Sequence, residues 1–285
     1  MENSSRNLDT WVQFLSEKEI PVLRQTVRGM AEARERLTEV TGREISAMVL
    51  RDPLMTVRIL RFTMRHCGKR QLQEITTIEH AVMMLGIEPF FRHFAQLDAI
   101  EDQLKPHPQA MLGLLQVIRR AQRAGRFAAD WAIWRRDLNS EDIAVAAVLH
   151  DLAEVLIWCF APQDALKIQA MKKADPALRS ADAQVAVLGF PLIDLQLALC
   201  TKWQLPELLQ SLINDGHSER VRVKNVKLAV DLARHSANGW EDPALPDDFL
   251  AIEALMSIDH DTLMLRLGLK PPEDENAPPE QKNTG

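Results

Sequence analysis

The chain has 285 residues, which is enough for one large domain or two modest ones. Apolar residues make up 46% of it and charged residues 26%, a composition that excludes a disordered or fibrous protein and predicts a globular one. The formal net charge is −6, so we expect no bulk attraction to nucleic acid or to an anionic membrane.

The three cysteines of the chain are Cys67, Cys159 and Cys200. They are odd in number, far apart and embedded in apolar runs, which indicates reduced thiols rather than a disulfide framework. Their spacing does not match a zinc site. No apolar run approaches the roughly 18 residues that a membrane span needs. We therefore predict a cytoplasmic protein that binds no membrane.

Helical periodicity recurs along the chain, and glycine is scarce, with 11 residues. The sequence therefore predicts an all-α fold. In the N-terminal part, Asp52 is a candidate N-cap with Pro53 at the first helical position. Thr76 and Glu79 are predicted to form a capping box for the next helix, and Gly86 to provide its C-terminal stop.

The central part of the chain predicts two long helices. Leu112–Trp134 repeats apolar residues at helical intervals. After it, Asn139 or Ser140 caps a run that is apolar on nearly every side and continues to Trp158, as expected of a helix at the centre of a bundle. Shorter helices are predicted over residues 179–188, 192–203, 206–214, 223–237 and 247–267.

The most informative residues are His150 and Asp151, which stand together within the most apolar predicted helix. Burying a histidine and a carboxylate without partners costs free energy, so both side chains need partners. One interpretation is a metal site, because both side chains can lean toward an ion in a groove between helices. The other is a satisfied polar pair, in which Asp151 accepts hydrogen bonds and the imidazole bridges two helices.

The tetrapeptide Leu149-His150-Asp151-Leu152 resembles the defining pair of the HD superfamily of phosphohydrolases, and its surroundings resemble the regulatory HDOD domain family. Other motifs of this family occur in the expected order. They are Asp52-Pro53-Leu54 with the helix that follows, Trp203-Gln204-Leu205-Pro206, and the stretch from Val226 to Ala233. Together the motifs cover about residues 18–238.

The resemblance implies a multi-helical N-terminal lobe, to about residue 104, packed on a degenerate HD-like helical bundle that begins at about residue 108. Residues 1–17 are then a lead-in, and residues 239–270 form a C-terminal helical segment. Residues 271–285 combine proline with acidic residues and lack large apolar side chains, so we predict a disordered tail.

The chain departs from the catalytic members of the superfamily at the ligand positions. Those proteins place another histidine on the helix before the His-Asp pair, and the corresponding position here falls near Ala121. A later aspartate ligand could be supplied only by Asp182 or Asp194, neither of which stands in a recognisable pattern. The resemblance therefore implies that His150 and Asp151 are the remnant of a degenerate metal site. Two ligands alone do not hold a metal that activates water.

We accordingly predict a non-catalytic signal-transduction or regulatory module, with no catalytic residue, no resident metal and no cofactor. Its partner is expected to be a signalling protein, and a nucleotide or cyclic dinucleotide is a candidate ligand. The alternative is a metal-dependent phosphohydrolase that acts on nucleotides or cyclic dinucleotides, with carboxylates from distant helices completing the metal site.

Four arginines lie close together on one predicted helix. Arg119, Arg123 and Arg126 are spaced at i, i+4 and i+7, and Arg120 adjoins them, so the helix has a basic stripe. Such a stripe can dock an acidic partner, or it can be a solvated face with no further role. Because the net charge is negative and no DNA-binding motif is present, nucleic acid is not the expected partner.

Overall fold

The computed structural model describes residues 7–66, 75–175 and 177–269. Throughout these ranges the chain is built from helices, and its only β-type pairing is an isolated parallel bridge between Val22 and Ala99. The predicted all-α fold is confirmed. Cys67 and the predicted tail at 271–285 lie outside the described residues.

The N-terminal lobe consists of short helices folded around a common core. They are α1 (Leu8–Glu17), α2 (Arg24–Glu35), α3 (Gly42–Val49), α4 (Pro53–His66), α5 (Ile78–Leu85), α6 (Ile87–His93) and α7 (Ile100–Gln103). The predicted lead-in thus contains α1, which buries Trp11 and Leu15 and packs against a helix of the bundle. Burial of such large apolar side chains stabilises the contact by about 1.5 to 3 kcal/mol each.

The second part of the molecule is a helical bundle, which stands where the HD-like bundle is expected, and its C-terminal extension. The bundle contains α8 (Pro108–Trp134), α9 (Ser140–Leu149), α10 (Leu152–Phe160), α11 (Pro162–Ala174), α12 (Ser180–Leu188), α13 (Leu192–Lys202), α14 (Glu207–Ile213) and α15 (Val221–His235). A 3₁₀ turn, Asp215–His217, joins α14 to α15, and α16 (Leu245–Met256) and α17 (His260–Arg266) follow. The long α8 packs along both α9 and α15. Eight of the ten residues of α9 are buried, so α9 is the centre of the bundle.

Asp52 ties two helices of the N-terminal lobe together. One carboxylate oxygen accepts the N–H groups of Leu54 and Met55 in the first turn of α4, which confirms the predicted N-cap. The other oxygen accepts the N–H of Leu23 at 2.8 Å and the hydroxyl of Thr26 at 2.7 Å. The side chain is fully buried and joins the start of α2 to the start of α4.

Polar bonds and apolar packing join the lobe to the bundle. The hydroxyl of Thr76 donates to Asp142 of α9 at 2.5 Å, and that of Ser46 donates to Glu141 at 3.0 Å. Because Thr76 is used in this contact, the predicted capping box is wrong by one residue, and Thr77 is the N-cap that accepts the N–H of His80. Gly86 ends α5 as predicted, with φ +81°.

Two predicted helices are broken in the structure. The apolar run that was expected to continue to Trp158 divides into α9 and α10, with His150 and Asp151 in the turn between them. The expected helix over 247–267 divides at Ser257, whose φ is +54°. In both cases apolar periodicity continues across the break, so the pattern alone does not reveal it.

The side chain of Gln196, on α13, explains how the first break is stabilised. It accepts the N–H of Ala153 at 2.7 Å and donates to the carbonyl of Leu149 at 3.0 Å. Both are backbone groups at the ends of α9 and α10, where helical partners are missing. The turn at His150 and Asp151 is therefore stabilised by a side chain of another helix, α13.

By length and composition, Ser140–Phe160 is long and apolar enough to cross a membrane, so the prediction that no apolar run reaches this length is wrong. Of its most apolar window, 83% is buried inside the fold, so this stretch belongs to the core of the bundle. The pair α12 and α13 passes the same test only when joined across a bend of 71°. The cytoplasmic location stays a prediction.

Candidate functional site

The turn between α9 and α10 places His150 between two carboxylates. Its Nδ1 lies 3.1 Å from Asp151 Oδ1, and its Nε2 lies 3.2 Å from Asp215 Oδ1 in the 3₁₀ turn before α15. A protonated imidazole donates from both nitrogens and satisfies both carboxylates. The side chain of His150 is 7% exposed, so this bridge is largely withdrawn from water.

Two arginines complete what we call the ionic cluster, which consists of Arg120, His150, Asp151, Glu154, Asp215 and Arg234. Arg120, on α8, lies 2.7 Å from Glu154 and 3.7 Å from Asp151. Arg234, on α15, lies 3.4 Å from Asp151. Asp151 therefore faces two guanidinium groups and one imidazole, contributed by different parts of the bundle.

The charges of the cluster stabilise one another's ionised forms. Burial alone would lower the pKa of His150, but its bonds to Asp151 and Asp215 outweigh burial and raise the pKa to about 9. Burial opposes ionisation of Asp151, yet Arg234, His150 and Arg120 hold its pKa well below the ordinary value. At neutral pH the imidazole is thus a cation between two anions.

A cavity of about 670 Å³ opens beside the ionic cluster, between α8, α10, α11, α12, α13 and α15. The cluster lines it together with Lys172 and Lys173 of α11. The rest of the lining includes both polar and apolar side chains, among them Trp158, whose ring packs against Gly113. A Cβ at Gly113 would clash with that ring, so glycine is needed there for α10 to approach α8. The volume is that of a small-molecule site.

The donor set does not fit a metal centre. A divalent ion requires several free lone pairs directed at one point. Here both nitrogens of His150 are bonded to carboxylates, and a cation beside Asp151 would meet the guanidinium groups of Arg120 and Arg234. Within 7–66, 75–175 and 177–269, no group of three or more His, Cys, Asp or Glu side chains is arranged to hold a metal ion.

The other ligand positions considered from the sequence are not part of the site. Ala121 is buried on α8 beside Arg120, and it does not line the cavity. Asp182 and Asp194 are exposed and also lie outside the cavity lining. The distant carboxylate that reaches His150 is Asp215, which the sequence did not connect to the His-Asp pair. Its one signal was its place shortly after Trp203-Gln204-Leu205-Pro206, one of the motifs that carry the family resemblance.

The four arginines proposed for partner docking have different environments. Arg120 belongs to the ionic cluster. Arg123 donates to the carbonyl and hydroxyl oxygens of Ser236, at 3.0 and 2.9 Å, and lies over the ring of Trp240. Arg119 and Arg126 are exposed. The predicted stripe is therefore divided between internal contacts and a solvent-facing pair, and docking at the exposed pair stays a prediction.

The cavity brings together residues that the sequence analysis did not associate with the His-Asp pair. Arg234, Lys172 and Gln196 all line it, and they come from α15, α11 and α13. Lysines and arginines are common on the exposed faces of helices, so nothing in their local sequence distinguishes them. Only the packing of the bundle assigns them to one site.

Comparisons with known proteins agree with this architecture. The model of the HDOD domain family matches residues 20–219. A virulence factor from Campylobacter jejuni subsp. jejuni superposes with a TM-score of 0.64 and 21% identity, over 93% of each chain. The MmoQ response regulator from Methylococcus capsulatus str. Bath has a TM-score of 0.64 and 14% identity, over 88% of this chain and 98% of its own. An HDOD domain protein with unknown function from Geobacter sulfurreducens has 20% identity and a TM-score of 0.48, over 92% and 95%.

A search of curated proteins gives no significant match. The two structures with the higher TM-scores share the fold, from the N-terminal lobe through the HD-like bundle. The family model covers most of the chain and includes the His-Asp pair, Asp52 and Asp215. On this evidence the chain belongs to the HDOD domain family.

Proposed function

We propose that this protein is a non-catalytic regulatory module, which transmits a signal by binding a partner protein or a small ligand. The observation that carries the proposal is the pairing of Asp151 with Arg120, Arg234 and His150. In a hydrolase of this superfamily, the same carboxylate would be expected to face a metal ion. Here positively charged side chains of the protein itself occupy its neighbourhood, while the cavity and the helical shell are retained as recognition surfaces.

A signalling role also agrees with the name of one protein of the same fold, the MmoQ response regulator. The alternative is a metal-dependent phosphohydrolase acting on nucleotides or cyclic dinucleotides. It would require His150, Asp151 and a third ligand to turn toward one ion. Asp215 is the nearest candidate for that ligand, and its oxygen is directed at His150 instead.

Metal analysis and a hydrolysis assay test the proposal together. The full chain is purified without chelator, its Mn, Fe and Mg content is measured, and each metal is then added with bis-p-nitrophenyl phosphate or a cyclic dinucleotide. We expect far less than one metal per chain and no turnover that depends on His150. Near-stoichiometric metal and hydrolysis, both lost in His150→Ala, would overturn the proposal.

The matched control is His260→Ala. His260 lies at the start of α17, where it bonds to Glu253 at 2.7 Å, and it does not line the cavity. A contaminating hydrolase or adventitious metal gives the same signal in the parent chain and in both variants. A true active site distinguishes His150→Ala from His260→Ala.

A further inference from the structure

The cavity beside the ionic cluster has more positive than negative side chains. Its lining contains the four cations Arg120, Lys172, Lys173 and Arg234 against the three carboxylates of Asp151, Glu154 and Asp215. His150 adds a further positive charge, because its bonds to two carboxylates raise its pKa to about 9. An occupant that brings negative charge into the cavity would therefore be attracted to it.

Lys172 lines the cavity, and among the described residues its ammonium bonds to a neutral group and forms no ion pair with a carboxylate. Its ammonium donates to the hydroxyl of Ser180 at 2.5 Å, which contributes no negative charge. Burial lowers the pKa of Lys172, Glu154 opposes this effect, and the charges of Arg234 and Arg120 lower it further. Three cationic groups from α11, α8 and α15 thus lie within electrostatic range of one another.

An anion placed between these groups would relieve their mutual repulsion. Arginine guanidinium groups bind phosphate or carboxylate through parallel N–H donors, and lysine adds a compact point charge. A carboxylate brings one negative charge on two oxygens, whereas a phosphomonoester brings up to two negative charges on three terminal oxygens, which three cations can share. The charge pattern therefore favours a phosphate group.

Part of the cavity lining is apolar. Val117, Ile157, Trp158 and Ile168 line it, together with Leu192. A free inorganic ion would leave this part of the lining in contact with water, whereas a ligand with a ring or hydrocarbon body would bury it. At about 670 Å³ the cavity has the volume of a small-molecule site.

We propose that the cavity binds a small organic phosphate, with its phosphate near Lys172, Arg120 and Arg234 and its body against Val117, Trp158 and Ile168. This inference rests on the proposed function, since a non-catalytic module binds such a ligand without hydrolysing it. The bound ligand joins α11 to α8 and α15, and in this way it links occupancy of the cavity to the packing of the bundle.

Calorimetric titration of the full chain tests the proposal with defined probes. They are adenosine 5′-monophosphate, adenosine, inorganic phosphate and a cyclic dinucleotide. We expect saturable binding of a phosphate-bearing nucleotide, much weaker binding of inorganic phosphate, and none of adenosine. The monophosphate and the cyclic dinucleotide then distinguish a phosphomonoester from a phosphodiester ligand.

Lys172→Met tests the position of the phosphate. Lys172 is exposed on the surface of α11, and its ammonium bonds only to the Ser180 hydroxyl. We therefore expect this variant to fold like the parent. Loss of one charged contact predicts affinity weaker by about 10- to 100-fold. The control is Lys167→Met, on the same helix, where Lys167 pairs with Asp164 and does not line the cavity. It is expected to leave the affinity unchanged.

Failure of this inference and failure of the proposed function give different results. Absence of binding for every phosphate-bearing probe at millimolar concentration, or equal binding of adenosine and its monophosphate, overturns the inference. Equal affinities of Lys172→Met and Lys167→Met also overturn it. Metal-dependent hydrolysis of a bound probe instead overturns the proposed function and leaves the binding site in place.

Discussion

Two aspartates withdrawn from solvent, Asp52 and Asp151, are held in opposite ways. Asp52 is 0% exposed and accepts hydrogen bonds from neutral donors, three backbone N–H groups and a threonine hydroxyl. The side chain of Asp151 is 16% exposed, and its neighbours are two arginines and a histidine. The first lies inside the N-terminal lobe, and the second lines the cavity of the bundle.

The difference shows that a buried carboxylate is not in itself evidence of a binding site. Burial raises the pKa of Asp52, although its four hydrogen bonds favour the carboxylate. The cationic neighbours of Asp151 lower its pKa instead. The Asp52 carboxylate joins two chain segments and leaves no room for a ligand. The charged groups around Asp151 line an open cavity, so they can interact with a ligand bound there.

The largest effect is expected from Asp52→Ala. This change removes the acceptor of four donors in a site with no access to water and also removes the N-cap of α4. We expect the free energy of unfolding to fall by about 3 to 5 kcal/mol. Urea denaturation followed by circular dichroism measures it, provided that the variant is soluble.

Thr41→Ala is the matched control for the capping part of this effect. Thr41 caps α3 through one bond to the N–H of Glu44, on the exposed surface of the lobe. Loss of this N-cap bond should lower the free energy of unfolding by about 1 kcal/mol. If the two substitutions destabilise the protein equally, the bonds from Asp52 to Leu23 and Thr26 contribute nothing, and its role as a link between helices is wrong.

The same comparison shows how far the sequence predicts the structure. Asp52 with Pro53 is a local signal, because a cap and the helix that it starts are neighbours in the chain, and the prediction was confirmed. The break at His150 is not local: apolar residues continue through it, and the stabilising side chain, Gln196, is 43 residues from Ala153. Periodicity reports which face is buried, and it does not report where a distant side chain replaces helical hydrogen bonds.

The site could be predicted only in part for the same reason. The His-Asp pair is contiguous, and its motif indicated the family. Its partners are separated from it by long stretches of chain, Asp215 by 65 residues from His150 and Arg234 by 83 from Asp151. The sequence offered Asp182 and Asp194 as possible aspartate ligands, whereas the packing of α15 and the turn before it supplies the actual neighbours, Arg234 and Asp215.

A smaller effect, with a distinctive pH dependence, is expected from His150→Gln. The folded-state pKa of His150 is about 9, above the value of about 6.5 in an unfolded chain. Its contribution to stability is therefore complete below about pH 6.5 and is lost as the pH rises through about 9. We expect the parent to be more stable than the variant by about 1 to 3 kcal/mol near pH 6, with the difference shrinking toward pH 10.

Urea denaturation of both proteins from pH 6 to pH 10 measures this difference. Because the other titrating groups are common to the two chains, subtraction isolates the contribution of His150. His260→Ala serves again as the control, since its side chain is 52% exposed. A difference that grows with pH, or that is equally large for His260→Ala, contradicts an imidazolium held between Asp151 and Asp215.

The smallest effect is expected from Asp215→Asn at the rim of the cluster. The Asp215 side chain is 38% exposed, so solvent screens its charge, and the asparagine still offers His150 an acceptor oxygen. We expect the free energy of unfolding to fall by about 0.5 kcal/mol at low salt. The difference should disappear in about 1 M NaCl, where the screening length is short. Asp52→Ala, by contrast, should be nearly insensitive to salt because its partners are neutral. A salt-independent loss in Asp215→Asn as large as that in His150→Gln would mean that Asp215 belongs to the dry core, like Asp52, and that the cluster is not open to the cavity.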